Sequence, residues 1–307
     1  MKRRTLFLST VVALIAATAA VGATGTAQVV ARITTGSQPC SEAGGFGALW
    51  VGNYGSGTVA RIDPAQNTVT GKVHVGSGPC GVAIGAGSVW VDGYTSASVV
   101  RVNPKRMKVV KRIKLPDQIW DVTFGAGSVW ATEESLGYVV RINPRTNRVR
   151  RRFRMPGHPR LGNLRYGGGA VWVGQQLGNR IFRIDVHTGR VSSVQVGTGP
   201  RSVAVSPTAV WVSNALDQTV SRIDPATRTV VATIPIPGNP ENPAVADDGT
   251  VFVPSVFADT VSRIDPATNS VVDTIAVGPK PFPAASAFGD IWVPTYGGQE
   301  VYRIHVG

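Results

Sequence analysis

A motif of about forty residues returns seven times along this chain, and that periodicity limits the fold more than any other feature. GALWVGN around Trp50 reappears as GSVWVDG at Trp90, GSVWATE at Trp130, GAVWVGQ at Trp172 and TAVWVSN at Trp211. TVFVPS at Phe252 and DIWVPT at Trp292 complete the series. Behind each stands an Arg-Ile or Arg-Val pair led by Arg61, Arg101, Arg141, Arg183, Arg222, Arg263 and Arg303, at intervals of 40, 40, 42, 39, 41 and 40 residues. A unit of this size cannot bury its apolar face alone and must stack on its neighbours.

Each copy reads as four short strands. Gly81-Val82-Ala83-Ile84 is a first strand, Ser88-Val89-Trp90-Val91 a second, Val99-Val100-Arg101-Val102 a third and Val109 to Leu115 a fourth. Asn-Pro or Asp-Pro-Ala-Thr joins the third to the fourth, with Pro presetting φ in a tight turn. Four strands per forty residues, with no helical periodicity between them, describe an all-β, seven-bladed β-propeller of four-stranded blades. The seventh copy ends at Gly307, just after its third strand. Residues 29–36 reproduce the fourth-strand pattern of 69–76, down to the following Pro39-Cys40 against Pro79-Cys80. The N-terminal strand is therefore expected to complete the last blade and leave no free edge at the seam.

Residues 1–27 have the layout of a secretory signal peptide: Lys2, Arg3 and Arg4, an uncharged apolar run from Leu6 to Val21, then small residues with cleavage after Ala23 or Ala27. An uncleaved anchor is the alternative, although the run is short for a span of about 20 residues. The expectation is a secreted or periplasmic monomer, with residues 28–307 as a single propeller domain and no membrane span after cleavage. The formal net charge of +13 is concentrated in blades 2 and 3. Those blades carry Lys105, Arg106, Lys108, Lys111, Arg112 and Lys114, then Arg145, Arg148, Arg150, Arg151, Arg152 and Arg154. Such a run either guards exposed strand edges or binds an anionic polymer or nucleic acid.

Val210-Trp211-Val212-Ser213-Asn214, Thr219 to Thr227 and Val230 to Ile234 resemble the repeats of the YVTN-type, YncE-like extracytoplasmic propellers. The chain is also similar to streptogramin (virginiamycin B) lyase, a seven-bladed propeller with its site on the funnel face. That second resemblance implies a general-base His after the Pro that opens an inner strand, Glu residues in Trp-Phe-Thr-Glu motifs, and Mg²⁺. Here the position after the Pro carries Cys40, Cys80, Trp120, Arg201 and Phe282. Arg160 or Gly162 stands there in irregular blade 4, and Glu241 or Asn242 in blade 6. None is His, and only Trp130-Ala131-Thr132-Glu133 matches the acidic motif. Proton abstraction beside a carbonyl needs a positioned base, so a lyase would depend on Glu133 with a displaced base such as His158.

The Arg-Ile-Asp-Pro units recur in blade after blade, which marks them as scaffold; Arg61 with Asp63, Arg222 with Asp224 and Arg263 with Asp265 are expected to pair and pin the turn. The Trp-position residues are read as packing between blades. Cys40 and Cys80 hold equivalent positions in blades 1 and 2, and in a secreted chain they form a disulfide unless the strands lie too far apart, in which case both stay as thiols. Trp120, outside the repeated series, falls on the channel opposite Phe282 and near Arg201, where it either lines a site or plugs the pore. Loops after the second strands bring Tyr54, Asp92, Tyr94, Glu133, Glu134, Gln175, Gln176, Asn214 and Tyr296 to the same face. No Ser-His-Asp set, phosphate loop or metal-ligand cluster is evident, so the first expectation is a non-catalytic binding or scaffold propeller without cofactor. Its ligand or protein partner would sit in this funnel or on the basic flank.

Overall fold

A computed structural model describes residues 25–76 and 78–307. Residues 1–24, which hold most of the expected signal segment, and Ser77 lie outside the described residues. The described chain forms seven four-stranded antiparallel sheets arranged as blades. Blades 1 to 6 each take four consecutive strands within residues 39–74, 82–114, 119–154, 161–195, 200–235 and 244–276. Blade 7 takes three strands from residues 285–305 and its outer strand from Gln28–Thr34. Gln28 faces His305 and Thr34 faces Glu300, so the two ends of the chain close the ring in one sheet. In blades 6 and 7 the inner strands shrink to Ala244–Val245 and Ala285–Ala287. Pro240, Pro243, Pro281 and Pro283 flank them and cannot donate to a ladder.

The core consists of the contacts between blades. Trp50, Trp90, Trp130, Trp172, Trp211, Phe252 and Trp292 are each no more than 1% exposed. A buried indole must bond its N–H; Nε1 of Trp50, Trp90 and Trp130 donates to the carbonyl of Gly45, Gly85 and Gly125, five residues back. Those glycines let the next blade approach. A Cβ at Gly85 would overlap the Phe124 ring, and one at Gly125 the Tyr166 ring.

The repeated arginines do something other than pair with the acid two residues on. Arg101, Arg141, Arg222 and Arg303 lie 5.0 to 5.2 Å over the Trp of their own blade, a cation–π distance. Their guanidinium groups reach on to the next blade. Arg101 Nη1 donates to Pro144 O and Asn147 Oδ1, Arg222 Nη1 to Pro266 O and Asn269 Oδ1, and Arg303 Nη1 to Pro64 O and Asn67 Oδ1. Arg141 reaches Val186 O, and Arg263 reaches Gly25 O at the seam. The expected pairs of Arg61 with Asp63, Arg222 with Asp224 and Arg263 with Asp265 do not form. Asp63, Asp224 and Asp265 instead accept from backbone N–H groups of their own turns, as in Asp63 Oδ1 with Ala65 N and Gln66 N. Only Arg183 pairs with its own Asp185, at 3.4 Å.

Two interfaces, blades 1 to 2 and 4 to 5, lack this staple. Met107 replaces the acceptor Asn in blade 2 and Arg228 replaces it in blade 5. Arg61 turns back to Thr70 Oγ1, and Arg183 to its own Asp185. Arg101→Ala should cost about 3 kcal/mol, the worth of several charge-assisted bonds and a ring contact. Arg61→Ala should cost no more than about 0.5 kcal/mol. Urea midpoints at unchanged slope would show this, and equal losses would refute the staple.

Candidate functional site

Seven equivalent backbone bonds build the funnel mouth. The residue after each second strand donates its N–H to the residue two before each inner-strand position: Tyr54 to Gln38, Tyr94 to Gly78, Glu134 to Gln118, Gln176 to Arg160, Ala215 to Gly199, Val256 to Asn239 and Tyr296 to Lys280. This register settles the irregular blades. The positions lining the top of the channel are Cys40, Cys80, Trp120, Gly162, Arg201, Glu241 and Phe282. Gly162 takes no side chain, because a Cβ there would collide with the carbonyl of Arg201.

The mouth is two-sided. Across blades 7, 1, 2 and 3, a cavity of about 230 Å³ is lined by Phe282, Tyr296, Tyr54, Tyr94, Trp120 and the half-cystines. Successive ring centroids along Trp120, Tyr94, Tyr54, Tyr296 and Phe282 are 5.8, 6.5, 5.8 and 6.2 Å apart. Cys40 and Cys80 form a disulfide with Cα atoms 4.9 Å apart, close enough because neighbouring inner strands converge on the axis. It ties blade 1 to blade 2, one of the two interfaces without an arginine staple. Trp120 is held in place: its Nε1 donates to Asn163 Oδ1 at 3.1 Å, and Asn163 Nδ2 donates to Asp121 Oδ2 at 3.1 Å. Burial, then the neighbouring Glu134 carboxylate, raises the Tyr94 phenol above its usual range.

The opposite arc is charged but internally paired. Arg201 Nη1 donates to Glu241 Oε1 at 2.9 Å, and Ser202 Oγ to Glu241 Oε2 at 3.1 Å. Burial still holds the Glu241 carboxyl above the ordinary range, against the pull of Arg201. Glu134 Oε1 accepts from Arg160 Nε and Gln176 Nε2. Glu133 accepts from Arg152 on the outer strand, facing away from the aromatic cavity. His158 has its ring against Tyr138 and near the carbonyl of Leu136, and bonds neither Glu133 nor Glu134. The structure thus brings Trp120, Phe282, Tyr54, Tyr94 and Tyr296 together, leaves Glu134 beside Tyr94 at the edge of the arc, and sets Glu133, Arg201 and His158 apart from them. Asp92 and Asn214 are buried in scaffold bonds, Asp92 to Cys80 N and Asn214 to Thr219 and Ser221.

Below the mouth the channel widens to a cavity of about 390 Å³ touched by all seven blades. Sequence reasoning passed over Glu42 on its wall. The side chain is buried, neither carboxyl oxygen has a partner, and burial pushes it well above the usual carboxylate range despite Arg165. Its signal was a lone acid among the small residues of an inner strand.

Two outcomes follow from this geometry. Replacing Cys40 and Cys80 by Ser should cost about 4 kcal/mol by loop-closure entropy, measured by urea unfolding; an unchanged midpoint would deny the bond a structural role. Glu42 keeps its proton in the fold at pH values where the unfolded chain, with a carboxyl near about 4.3, has lost it. The native state then binds more protons, so this contribution to stability falls as pH rises above about 4.5 and through the raised folded value. Glu42→Gln should therefore gain on the parent protein between pH 5 and pH 8, and parallel stability profiles would contradict this.

Comparison with known proteins places this geometry. Residues 190–287, about a third of the chain, match the YNCE-like beta-propeller family. No curated protein sequence matches. The virginiamycin B lyase of Staphylococcus aureus superposes with a TM-score of 0.79 at 16% identity, over 91% of this chain and 99% of that one. A streptogramin B lyase gives 0.79 at 14% identity, over 88% and 93%. The Cps50 (Swd1) propeller domain of Myceliophteria thermophila gives 0.76 at 13% identity, over 92% and 100%. At such identities the likeness is one of fold. This chain is a seven-bladed propeller, YNCE-like in sequence from residue 190 to residue 287 and streptogramin-lyase-like in architecture over nearly all its length.

Proposed function

We propose that the protein is an extracytoplasmic, non-catalytic binding propeller whose funnel mouth seats a flat apolar group of its ligand. The observation that carries this is the arc of five rings over the Cys40–Cys80 disulfide. Concave, mostly apolar cavities with a few polar groups at the rim are the usual form of a small-molecule site. Aromatic walls fixed by packing and by the Trp120–Asn163 bond lose little entropy on binding. The paired arc of Arg201 and Glu241 supplies polar contacts for the rest of the ligand. A disulfide fits an oxidising compartment.

Binding rather than turnover is supported by the condition of the acids. Glu133, Glu134, Asp121 and Glu241 each accept from an Arg. A general base must stand within reach of the proton it takes; Glu133 and Glu134 each keep one oxygen without a partner, but the wall of the aromatic cavity itself consists of rings and the disulfide. The fold likeness to the lyases favours a second reading, a Mg²⁺-dependent lyase, which predicts consumption of streptogramin B when Mg²⁺ is added.

Trp120 offers a direct readout, because the other six tryptophans are buried. Indole, a ring of the size the cavity takes, should bind with a Kd on the order of 1 mM, as expected for a fragment of about nine heavy atoms. It should protect Trp120 alone from iodide quenching, and Tyr54→Ala should weaken it about tenfold. Equal quenching with and without indole, in the parent and in Trp120→Ala, would sink the funnel site. Loss of streptogramin B only with Mg²⁺ present would establish the lyase.

A further inference from the structure

The outer strands of blades 2 and 3 carry more charge than the fold requires. Lys108–Lys114 has four cations in seven residues and Arg148–Arg154 has five, with no acid in either. Edge protection is the obvious account, but the edges of blades 2 and 3, like most of the others, are already blunted by another device. Six of the seven outer strands are kinked by a register shift at one residue: Val30, Thr70, Val110, Arg150, Val231 and Val272. A bulge of this kind disrupts the ladder and deters pairing with another chain. Thr229–Pro235 in blade 5 carries the same shift with no charge at all and leaves Val231 54% exposed. The cations of blades 2 and 3 are therefore surplus to that purpose.

They are also unneutralised. Among the described residues, the only ion pair on these two strands is Arg152 with Glu133. Arg112 is spent on the carbonyl of Val75, Lys114 bonds Ser96 O, and Arg151 lies 4.6 Å over the Phe153 ring. Lys108, Lys111, Arg148, Arg150 and Arg154 are exposed with no acidic partner. The crowding is felt inside the blade, where burial and then Arg150 and Arg151 hold Arg141 below its usual range.

The surface offers charge and little else. Phe153 is 4% exposed and so presents no ring for a base to stack on. Val110 is the one large apolar side chain exposed on either strand, too little to enter a bilayer. Alternate residues on a strand are about 6.6 Å apart, and seven residues span about 20 Å. Two such rows run in the same direction on adjacent blades and make a ladder of cations, with guanidinium forks suited to carboxylate and sulfate.

We propose that the outer edges of blades 2 and 3 form a second binding site, distinct from the funnel, for a linear anionic glycan held through its repeated carboxylate or sulfate groups. Lys108, Lys111, Arg148, Arg150 and Arg154 are its contact residues, and Arg112, Arg151 and Arg152 keep the blades in place behind them.

The test uses the full chain with heparin and polygalacturonate as sulfate and carboxylate probes, and with oligothymidylate and phosphatidylglycerol vesicles of matched charge. The protein should bind both glycans more tightly than oligothymidylate or vesicles, with affinity falling by about one power of salt for each contact. Replacing the five contact residues by Ser should weaken glycan binding at least about 100-fold and lower the salt slope by about four, without moving the melting temperature. Replacing Lys72, Arg180, Arg190, Arg228 and Lys280 by Ser removes the same charge elsewhere and should change binding less than about threefold. Equal losses in the two variants, tighter binding to oligothymidylate or vesicles, or no binding at low salt would each overturn the site.

Discussion

The ring depends on one repeated contact: an arginine laid over its own blade's tryptophan, or over Phe252 in blade 6, with its fork turned onto the next blade. Each half would be weak in isolation, since an exposed cation–π pair contributes about 0.5–1 kcal/mol and a neutral hydrogen bond about 1 kcal/mol. Joined in one side chain, they help to fix the angle between neighbouring sheets far from the axis. The contact is made at blades 2 to 3, 3 to 4, 5 to 6, 6 to 7 and 7 to 1. At the seam it reaches the carbonyl of Gly25, so the N-terminal strand enters the ring as an acceptor as well as an outer strand.

This explains why residues that look functional are scaffold, and why the functional surface lies elsewhere. The Arg, Trp and Asp of each repeat are consumed in holding blades together. What remains variable is the pair of positions that each blade presents at the mouth. Because the backbone bonds there are the same in all seven blades, chemistry at the mouth is set by side chains alone. Aromatics and sulfur gather on one arc and ion pairs on the other, on a frame with no preference between them.

The architecture was legible in the sequence because a forty-residue period and a displaced fourth strand can be counted. The aromatic arc was legible too, since Trp120, Phe282 and the post-strand tyrosines follow from register alone. Partner choice was not. Arg61, Arg101 and Arg222 share one motif, yet Arg101 and Arg222 reach Asn147 and Asn269 on the next blade, while Arg61, with Met107 at that place, bonds Thr70 of its own blade. That information lies about forty-five residues away. In the same way Glu133 matches an acidic motif by position, while Arg152, nineteen residues on, occupies one of its oxygens.

The disulfide joins these two levels. Between blades 1 and 2 the repeated arginine does not bridge: Met107 stands where blades 1, 3 and 6 have Asn, and Arg61 bonds Thr70 of its own blade. The bond between Cys40 and Cys80 holds that interface from the channel side instead. It does so directly beneath Tyr54 and Tyr94, the central rings of the arc. A staple near the rim steadies a blade far from the axis, whereas a covalent bond at the axis steadies the wall of the cavity itself. One of the two interfaces without the arginine staple is thus the one on which the aromatic site is built, and a covalent bond there limits how far the two central rings can move apart.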